Sequence, residues 1–502
     1  MNRHEPRHAL VRQALVLDAA NLTRRVVSGA GFTFLGIALR TAITLVSVAI
    51  LARLLNPADF GYIAMATVVT DFAALLGSFG LTNILIQRRR VTRLQLDTVF
   101  WAGMGIGLTL AALVFALSFV AGRMFGDDGR IGELLRVLCL NFIFTAWTTV
   151  HEALLGRLMR FRTDFVIQTT AIALRTTVAV LCALAGFGVW SLVAGSLSGS
   201  LAVAALMSWR VPYLPRLRFH ADFLRASMKT GSGYMGNMAL FYVNMNLDLF
   251  LIGRRFGADA LGYYQNARSL TDEVVGRLVM PLQRVLFPAL SSMQHDLPRL
   301  RNSVLKSSGL LAALMCPVGF GIAAAAPEIV PALYGGKWLA MIPVLAMLGV
   351  RTALRSCGAI ATTLFYSQDK VALSFRYRVI EMVLLAVSVV AALPYGLTVT
   401  AAVIAANSLF AVFMLLMGLK LIGLGGRDLI RLLACPLVAS LVMWGALVGL
   451  RAALPADGLN ALTRLLATVA CGALVYGATL TLLSRQYWRD FADLLHRLAK
   501  RD

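Results

Sequence analysis

Apolar runs of about twenty residues, each closed by a short polar segment, recur from residue 29 to residue 484. A helix of that length crosses the ~30 Å hydrocarbon layer, so each run reads as a membrane span. The runs lie near 29–53, 60–86, 98–121, 131–155, 164–185, 187–208, 228–253, 260–290, 303–326, 338–366, 371–393, 397–421, 430–450 and 462–484, which predicts about fourteen spans. The short apolar/polar alternation of a transmembrane β-barrel is missing. The expected fold is therefore an all-α polytopic integral membrane protein.

The polar segments between the runs test this reading. Alternate connections are strongly basic: Arg88–Arg90 with Arg93, then Arg157, Arg160 and Arg162, then Arg210, Arg216, Arg218, Arg225 and Lys229. The series continues with Arg299, Arg301 and Lys306, with Lys370, Arg376 and Arg378, and with Lys420, Arg427 and Arg431. The intervening connections are balanced, as at Arg123, Asp127, Asp128 and Arg130, or uncharged, as at Gly186–Gly188. Basic loops stay on the cytoplasmic side, so both termini are expected there.

Composition agrees. The 502 residues are 59% hydrophobic and only 14% charged, with a mean hydropathy of +0.76, more apolar surface than a soluble domain can bury. The net charge of +23 sits mainly in the short loops, which excludes a nucleic-acid partner. Cys139, Cys182, Cys316, Cys357, Cys435 and Cys471 are scattered singly, so neither a disulfide nor a metal site is expected. The basic segment before the first run lacks the pattern of a cleavable signal peptide.

A displacement of 201 residues reveals an internal repeat. Arg53, Gly61, Tyr62, Ala66, Thr70, Asp71 and Leu81 match Arg254, Gly262, Tyr263, Ala267, Thr271, Asp272 and Leu282. Six spans separate the copies, so the halves would share one orientation in the membrane. The expected organisation is a basic cytoplasmic N-terminus (1–28), an N-lobe of six spans (29–208), a cytoplasmic linker (209–227), a C-lobe of six spans (228–421) and two further spans with a cytoplasmic tail (422–502).

Charge inside the spans carries the functional signal. The stretch 246–290 holds Arg268, Asp272, Glu273 and Arg277 at depths where a lipid-facing helix carries none, each unpaired charge costing roughly 2.5–3.5 kcal/mol. At 100° per residue, Arg268 and Asp272 share one face and Glu273 and Arg277 share nearly the opposite one. Arg40 and Asp71 lie midway along the first two spans and could pair. Arg175 and Glu381 occupy corresponding helices of the two lobes, and Arg351 and Arg355 share one face of the tenth span with no acid near in sequence. For any one of these, the alternative is a structural ion pair or a snorkelling arginine. Together they form a candidate substrate cavity with enough arginine for a phosphate or diphosphate, which a guanidinium grips with forked hydrogen bonds. Asn244 and Asn246, with Tyr263, Tyr264 and Asn266, are candidate sugar contacts, the alternative being interhelical hydrogen bonding and an aromatic belt.

No catalytic residues are assigned. The phosphate-loop, HExxH and nucleophile-elbow patterns are missing, His151–Glu152 reads as an interfacial polar pair, and no extracytoplasmic loop is long enough for a catalytic lobe. Gly103–Gly107 and Gly195–Gly199 read as helix-packing positions.

The motifs RLLNPADFGYIAMA (53–66), SFGLTNILIQR (78–88), RLMRFRTDF (157–165), GFGVWSLVAG (186–195), NLDLFLIGRRFGADALGYYQNA (246–267), RVLFPALSSMQ (284–294) and APEIVPALYGGKW (326–338) follow one another in a familiar order. With them the chain resembles polysaccharide flippases of the multidrug/oligosaccharidyl-lipid/polysaccharide exporter superfamily, of the exopolysaccharide and lipopolysaccharide type. The resemblance implies a MATE-like pair of pseudo-symmetric lobes around a cationic cavity in a bacterial inner membrane. It implies as cargo an undecaprenyl-diphosphate-linked oligosaccharide, moved to the periplasmic leaflet with no cofactor, by an ion gradient or membrane potential. A polysaccharide polymerase and export complex is the implied partner. A multidrug or small-metabolite antiporter and a non-transporting scaffold of a polysaccharide synthesis complex are the alternatives.

Overall fold

A computed structural model of the chain describes residues 22–77, 82, 85–86, 88, 91–126, 129–453 and 460–483. The basic N-terminus up to residue 21, Arg89, Arg90, Asp127, Asp128 and the tail from residue 484 lie outside the described residues. Among those described the chain is helical, without a strand: α1 (Leu22–Leu54), α2 (Pro57–Gly77), α3 (Arg93–Phe125), α4 (Arg130–Leu138), α5 (Leu140–Arg157), α6 (Phe161–Leu184), α7 (Val189–Arg210) and α8 (Ala221–Ser292). After these come α9 (Leu297–Leu333), α10 (Ile342–Cys357), α11 (Ala359–Ser367), α12 (Val371–Ala392), α13 (Leu397–Asn407), α14 (Leu409–Leu421), α15 (Gly426–Ala453) and α16 (Ala461–Leu483). Eleven segments among the described residues are long and apolar enough to cross a membrane. The first, seventh and eighth expected spans fall on α1 and the two arms of α8, which are not among those eleven, so the expected count of fourteen is not reached.

Local chemistry sets the helix ends. Thr92 and Gln95 form a reciprocal capping box at the start of α3, and Gly126 closes that helix in a left-handed conformation. Pro57 opens α2, where its missing N–H would be unused anyway, and Asp59 Oδ2 accepts the Asn56 amide at 2.9 Å. The break foreseen after Gly253 falls at Gly257, whose φ of 81° and ψ of −171° belong to backbone that only glycine adopts readily.

The chain divides into two compact units, Met1–Gly262 and Tyr263–Asp502. The division lies just beyond the Gly257 break, so the first arm of α8 folds with the first six expected spans. In the first unit, Phe100, Val150, Leu154, Ile167, Met207 and Tyr213 form a buried core joining α3, α5, α6 and α7 to the segment after α7. Of the expected packing glycines, a methyl at Gly107 would meet Ala146 and one at Gly195 would meet Ala179 and the Arg175 carbonyl, whereas one at Gly105 would meet nothing within 4 Å. Gly61 and Gly262 make the tightest crossing among the described residues. A methyl on Gly61 would overlap the Ala258 carbonyl and one on Gly262 the Pro57 carbonyl. Pro57 and Ala258 are themselves related by the 201-residue displacement, so the two copies of the motif touch each other reciprocally.

The second unit is built on α9, which packs along α10, α15 and α16. Gly319 of α9 and Gly349 of α10 bring the two backbones together, since a methyl on either would overlap the other helix. That crossing fixes the face of α10 carrying Arg351 and Arg355.

Candidate functional site

The charged stretch of α8 behaves as its helical periodicity dictates. Arg268 Nε donates to Asp272 Oδ2 at 3.1 Å along one face, while Arg277 pairs with Glu273 one face away. What the sequence could not place is the arrival of α10. Arg351 Nη1 stands 3.8 Å from Asp272 Oδ1, so the two carboxylate oxygens face two different guanidiniums. Arg355, one turn along α10, acts electrostatically on the same group, and Glu381 of α12 lies within its reach. Arg268 and Arg351 are both buried at 8% exposure. Three arginines thus converge with two acids, an excess of one positive charge.

Coulomb repulsion between two guanidiniums 4 Å apart is about 4 kcal/mol at an effective dielectric of 20. Asp272 relieves part of it, and the cluster keeps a net positive charge. A net positive cluster of guanidiniums is suited to an anion with several oxygens.

The first unit holds its expected residues differently. Arg40 and Asp71 form no ion pair: Arg40 Nε donates to the Gly36 carbonyl of its own helix at 3.1 Å, and Asp71 is exposed with no ion-pair partner among the described residues. The expected pairing fails because consecutive helices are not packed neighbours here. The main partner of α1 is α6, whereas α2 packs on α3, α4 and α7. Arg175 lays its aliphatic stem on Gly199 of α7 and joins no ion pair among the described residues.

The candidate sugar contacts are each held within their own unit. Asn246 Nδ2 donates to the Tyr242 carbonyl at 3.1 Å, and Tyr242 donates on to Val68 O at 3.0 Å. Asn244 Nδ2 is buried with no hydrogen-bond partner among the described residues. Tyr263 reaches the Lys337 carbonyl at 3.4 Å with its ring against the edge of Trp338. Tyr264 and Asn266 are buried in the second unit, where they pack instead of presenting a surface.

Two polar constellations escaped the sequence reading. Arg451 of α15 grips Glu328 of α9 with Nε–Oε1 at 2.8 Å and Nη2–Oε2 at 2.7 Å, and Nη2 also reaches the Ala324 carbonyl. Arg157 gathers the Leu85 and Arg88 carbonyls. His151, expected at an interface with Glu152, is instead fully buried, its ring stacked on Trp147 and edge-on to Tyr213, while Glu152 remains exposed. Residues on adjacent positions of a helix diverge by 100°, so the pair could not share one environment. The cysteines are free, and Cys316 and Cys357 meet Sγ to Sγ at 3.7 Å across the α9–α10 crossing.

This is a multi-pass membrane protein with a fold known from transporters. It superposes on the lipid II flippase MurJ in an inward closed conformation, with a TM-score of 0.69 at 13% identity over 92% of this chain and 99% of that one. An inward-facing MATE family multidrug resistance transporter of the MOP superfamily follows at 0.60 and 15%, covering 78% of this chain and 96% of the other. The chain belongs to the polysaccharide biosynthesis protein family, whose profile matches residues 50–343. Succinoglycan biosynthesis transport protein ExoT of Rhizobium meliloti (strain 1021) is 31% identical over 337 residues, 66% of this chain and 67% of that protein. Lipopolysaccharide biosynthesis protein WzxC of Escherichia coli (strain K12) is 27% identical over 367 residues, 72% and 74% of the two chains.

Proposed function

We propose that this protein flips an undecaprenyl-diphosphate-linked oligosaccharide from the cytoplasmic to the periplasmic leaflet of a bacterial inner membrane, with both termini in the cytoplasm. The observation that carries the reading is the meeting of Arg268, Arg351 and Arg355 around Asp272 in a family whose members serve polysaccharide biosynthesis. The arginines hold the diphosphate and Asp272 occupies them between cargoes, so binding stays loose enough for release. The sugar travels beside the diphosphate and the lipid tail remains in the bilayer. Alternating access, driven by an ion gradient or the membrane potential, moves the cargo without a cofactor.

An arginine excess disfavours a cationic drug as cargo. Against the scaffold reading stands the net positive charge of the Asp272 cluster, since a buried charge left over costs stability unless it serves a ligand. The test is flipping of a fluorescent undecaprenyl-diphosphate oligosaccharide in vesicles holding the purified protein. Appearance of the label on the opposite leaflet, lost in the Arg351→Ala, Arg355→Ala protein, is the expected result. Equal flipping by both proteins would sink the arginine assignment, and no flipping by the native protein under any imposed gradient would sink the activity.

A further inference from the structure

The connection between α7 and α8 carries chemistry that cargo transport leaves unused. Residues 211–220 run as an extended strap from the end of a membrane span at Arg210 to the start of α8. One edge is fastened to the opening turns of α3. The Tyr213 hydroxyl donates to Asp97 Oδ1 at 2.6 Å, and the Arg216 amide donates to the same oxygen at 3.3 Å. Trp101 Nε1 donates to the Arg216 carbonyl at 2.8 Å, Arg93 reaches the Leu214 carbonyl at 3.5 Å, and the His220 amide donates to Thr98 Oγ1 at 3.1 Å. Burial and the adjacent carboxylate hold the Tyr213 phenol above its ordinary range, so it stays a donor. These ties order the strap in advance.

The other edge is bare. Leu217 is 88% exposed and Leu214 73%, with Phe219 and Trp209 also exposed. Between and beside them stand the exposed Arg210, Arg216, Arg218 and Arg225, and the only acid in residues 209–225 is Asp222. The Arg210 guanidinium lies 4.5 Å from the centre of the Trp209 ring, an amphipathic pairing at the end of α7. Water does not suit the leucines and hydrocarbon does not suit the guanidiniums. The headgroup region at the mouth of a span suits both.

We infer that the strap is a binding site for anionic phospholipid headgroups, with Leu214, Leu217 and Phe219 entering the acyl boundary and Arg216 and Arg218 holding the phosphates. Charge complementarity selects the anionic lipid, and the place of the strap beside a span puts the headgroups within reach. The site is independent of the cargo, because it uses none of the residues around Asp272.

The test places a fluorophore at Leu217→Cys in the full-length protein, reconstituted in vesicles of phosphatidylcholine alone or with one part phosphatidylglycerol in three. Labelled protein without the substitution supplies the background from the native cysteines. Brominated acyl chains should quench the label, and phosphatidylglycerol should deepen the quenching. Arg216→Gln with Arg218→Gln should weaken the phosphatidylglycerol dependence about fivefold per arginine removed, while vesicle flipping continues. Quenching by aqueous iodide alone would leave the strap in water and overturn the inference. Quenching by brominated chains that ignores lipid charge would overturn the headgroup assignment.

Discussion

Asp71 and Asp272 hold the same register of the 201-residue repeat, yet one is exposed with no ion pair among the described residues and the other anchors an arginine cluster. The difference comes from the neighbours supplied by each unit. In the second unit the Gly319–Gly349 crossing turns Arg351 and Arg355 of α10 toward the α8 carboxylate, and Arg268 meets it from one turn away. In the first, Ala66 and Ala267 keep the shared framework of the repeat, but the residue matching Arg268 is Thr67. Thr67 spends its hydroxyl on the Ala64 carbonyl at 3.0 Å and has no charge to offer Asp71. A repeat can thus preserve packing while concentrating its chemistry in one copy.

The comparison breaks first, and by the largest margin, at the arginines. Arg351→Ala with Arg355→Ala removes charge-assisted contacts worth roughly 1.5–3 kcal/mol each, so surface polysaccharide in a flippase-null strain should fall on the order of 100-fold. Lysine at both positions should restore only a small part, because it keeps the charge without the planar fork. Full polymer output from the double alanine protein at normal abundance would remove these arginines from the cargo path.

Helical spacing made part of this site readable in advance. Arg268 with Asp272, and Glu273 with Arg277, follow from four-residue offsets alone, and the Gly257 break follows from the polar interruption between two apolar runs. Arg351 meeting Asp272 was not readable, because it depends on which helices pack, and nothing in a single chain's pattern fixes that. The same ignorance explains the unformed Arg40–Asp71 pair and the unforeseen Arg451–Glu328 pair, whose members are distant in sequence. Tyr264 and Asn266 look polar enough for a cavity, but the face they occupy points into the unit.

The Gly61–Gly262 crossing tests what the two copies still share. An alanine at either position must push its methyl into a backbone carbonyl, an overpacking strain of about 1–3 kcal/mol or more. Because the contact is reciprocal, Gly61→Ala and Gly262→Ala should lower the melting temperature of the detergent-solubilised protein by similar amounts. A large loss at one site with none at the other would show that the crossing is not symmetric in energy.

Asp272→Asn should act in a different way. It removes the carboxylate shared by Arg268 and Arg351, while Glu381 stays within reach of Arg355. Stripping a counter-charge from a buried cluster costs up to about 3–5 kcal/mol when the site is dry and less when water enters. The variant should therefore melt several degrees lower, and millimolar pyrophosphate should restore more of the loss than the same concentration of sulfate. An unchanged melting curve, with or without pyrophosphate, would mean that the arginines do not depend on Asp272.

The smallest effect is expected at Asp71. Its carboxylate is exposed and joins no ion pair among the described residues, so an amide of nearly the same shape leaves no charge stranded. Substitutions of this kind usually stay within about 0.5 kcal/mol, and Asp71→Asn should melt with the native protein. Polymer output should likewise stay within roughly twofold if the first unit contributes packing and the second unit contributes charge. The informative exception is a variant that folds normally and exports nothing. Such a result would give this carboxylate a part in transport that its partnered counterpart cannot play, with a proton or a sodium ion as the first ligand to test. Measuring both variants under an imposed proton gradient and then an imposed sodium gradient separates the two cases. A defect at Asp71 that appears under only one gradient would name the ion and divide the work of the repeat, anion at Asp272 and cation at Asp71.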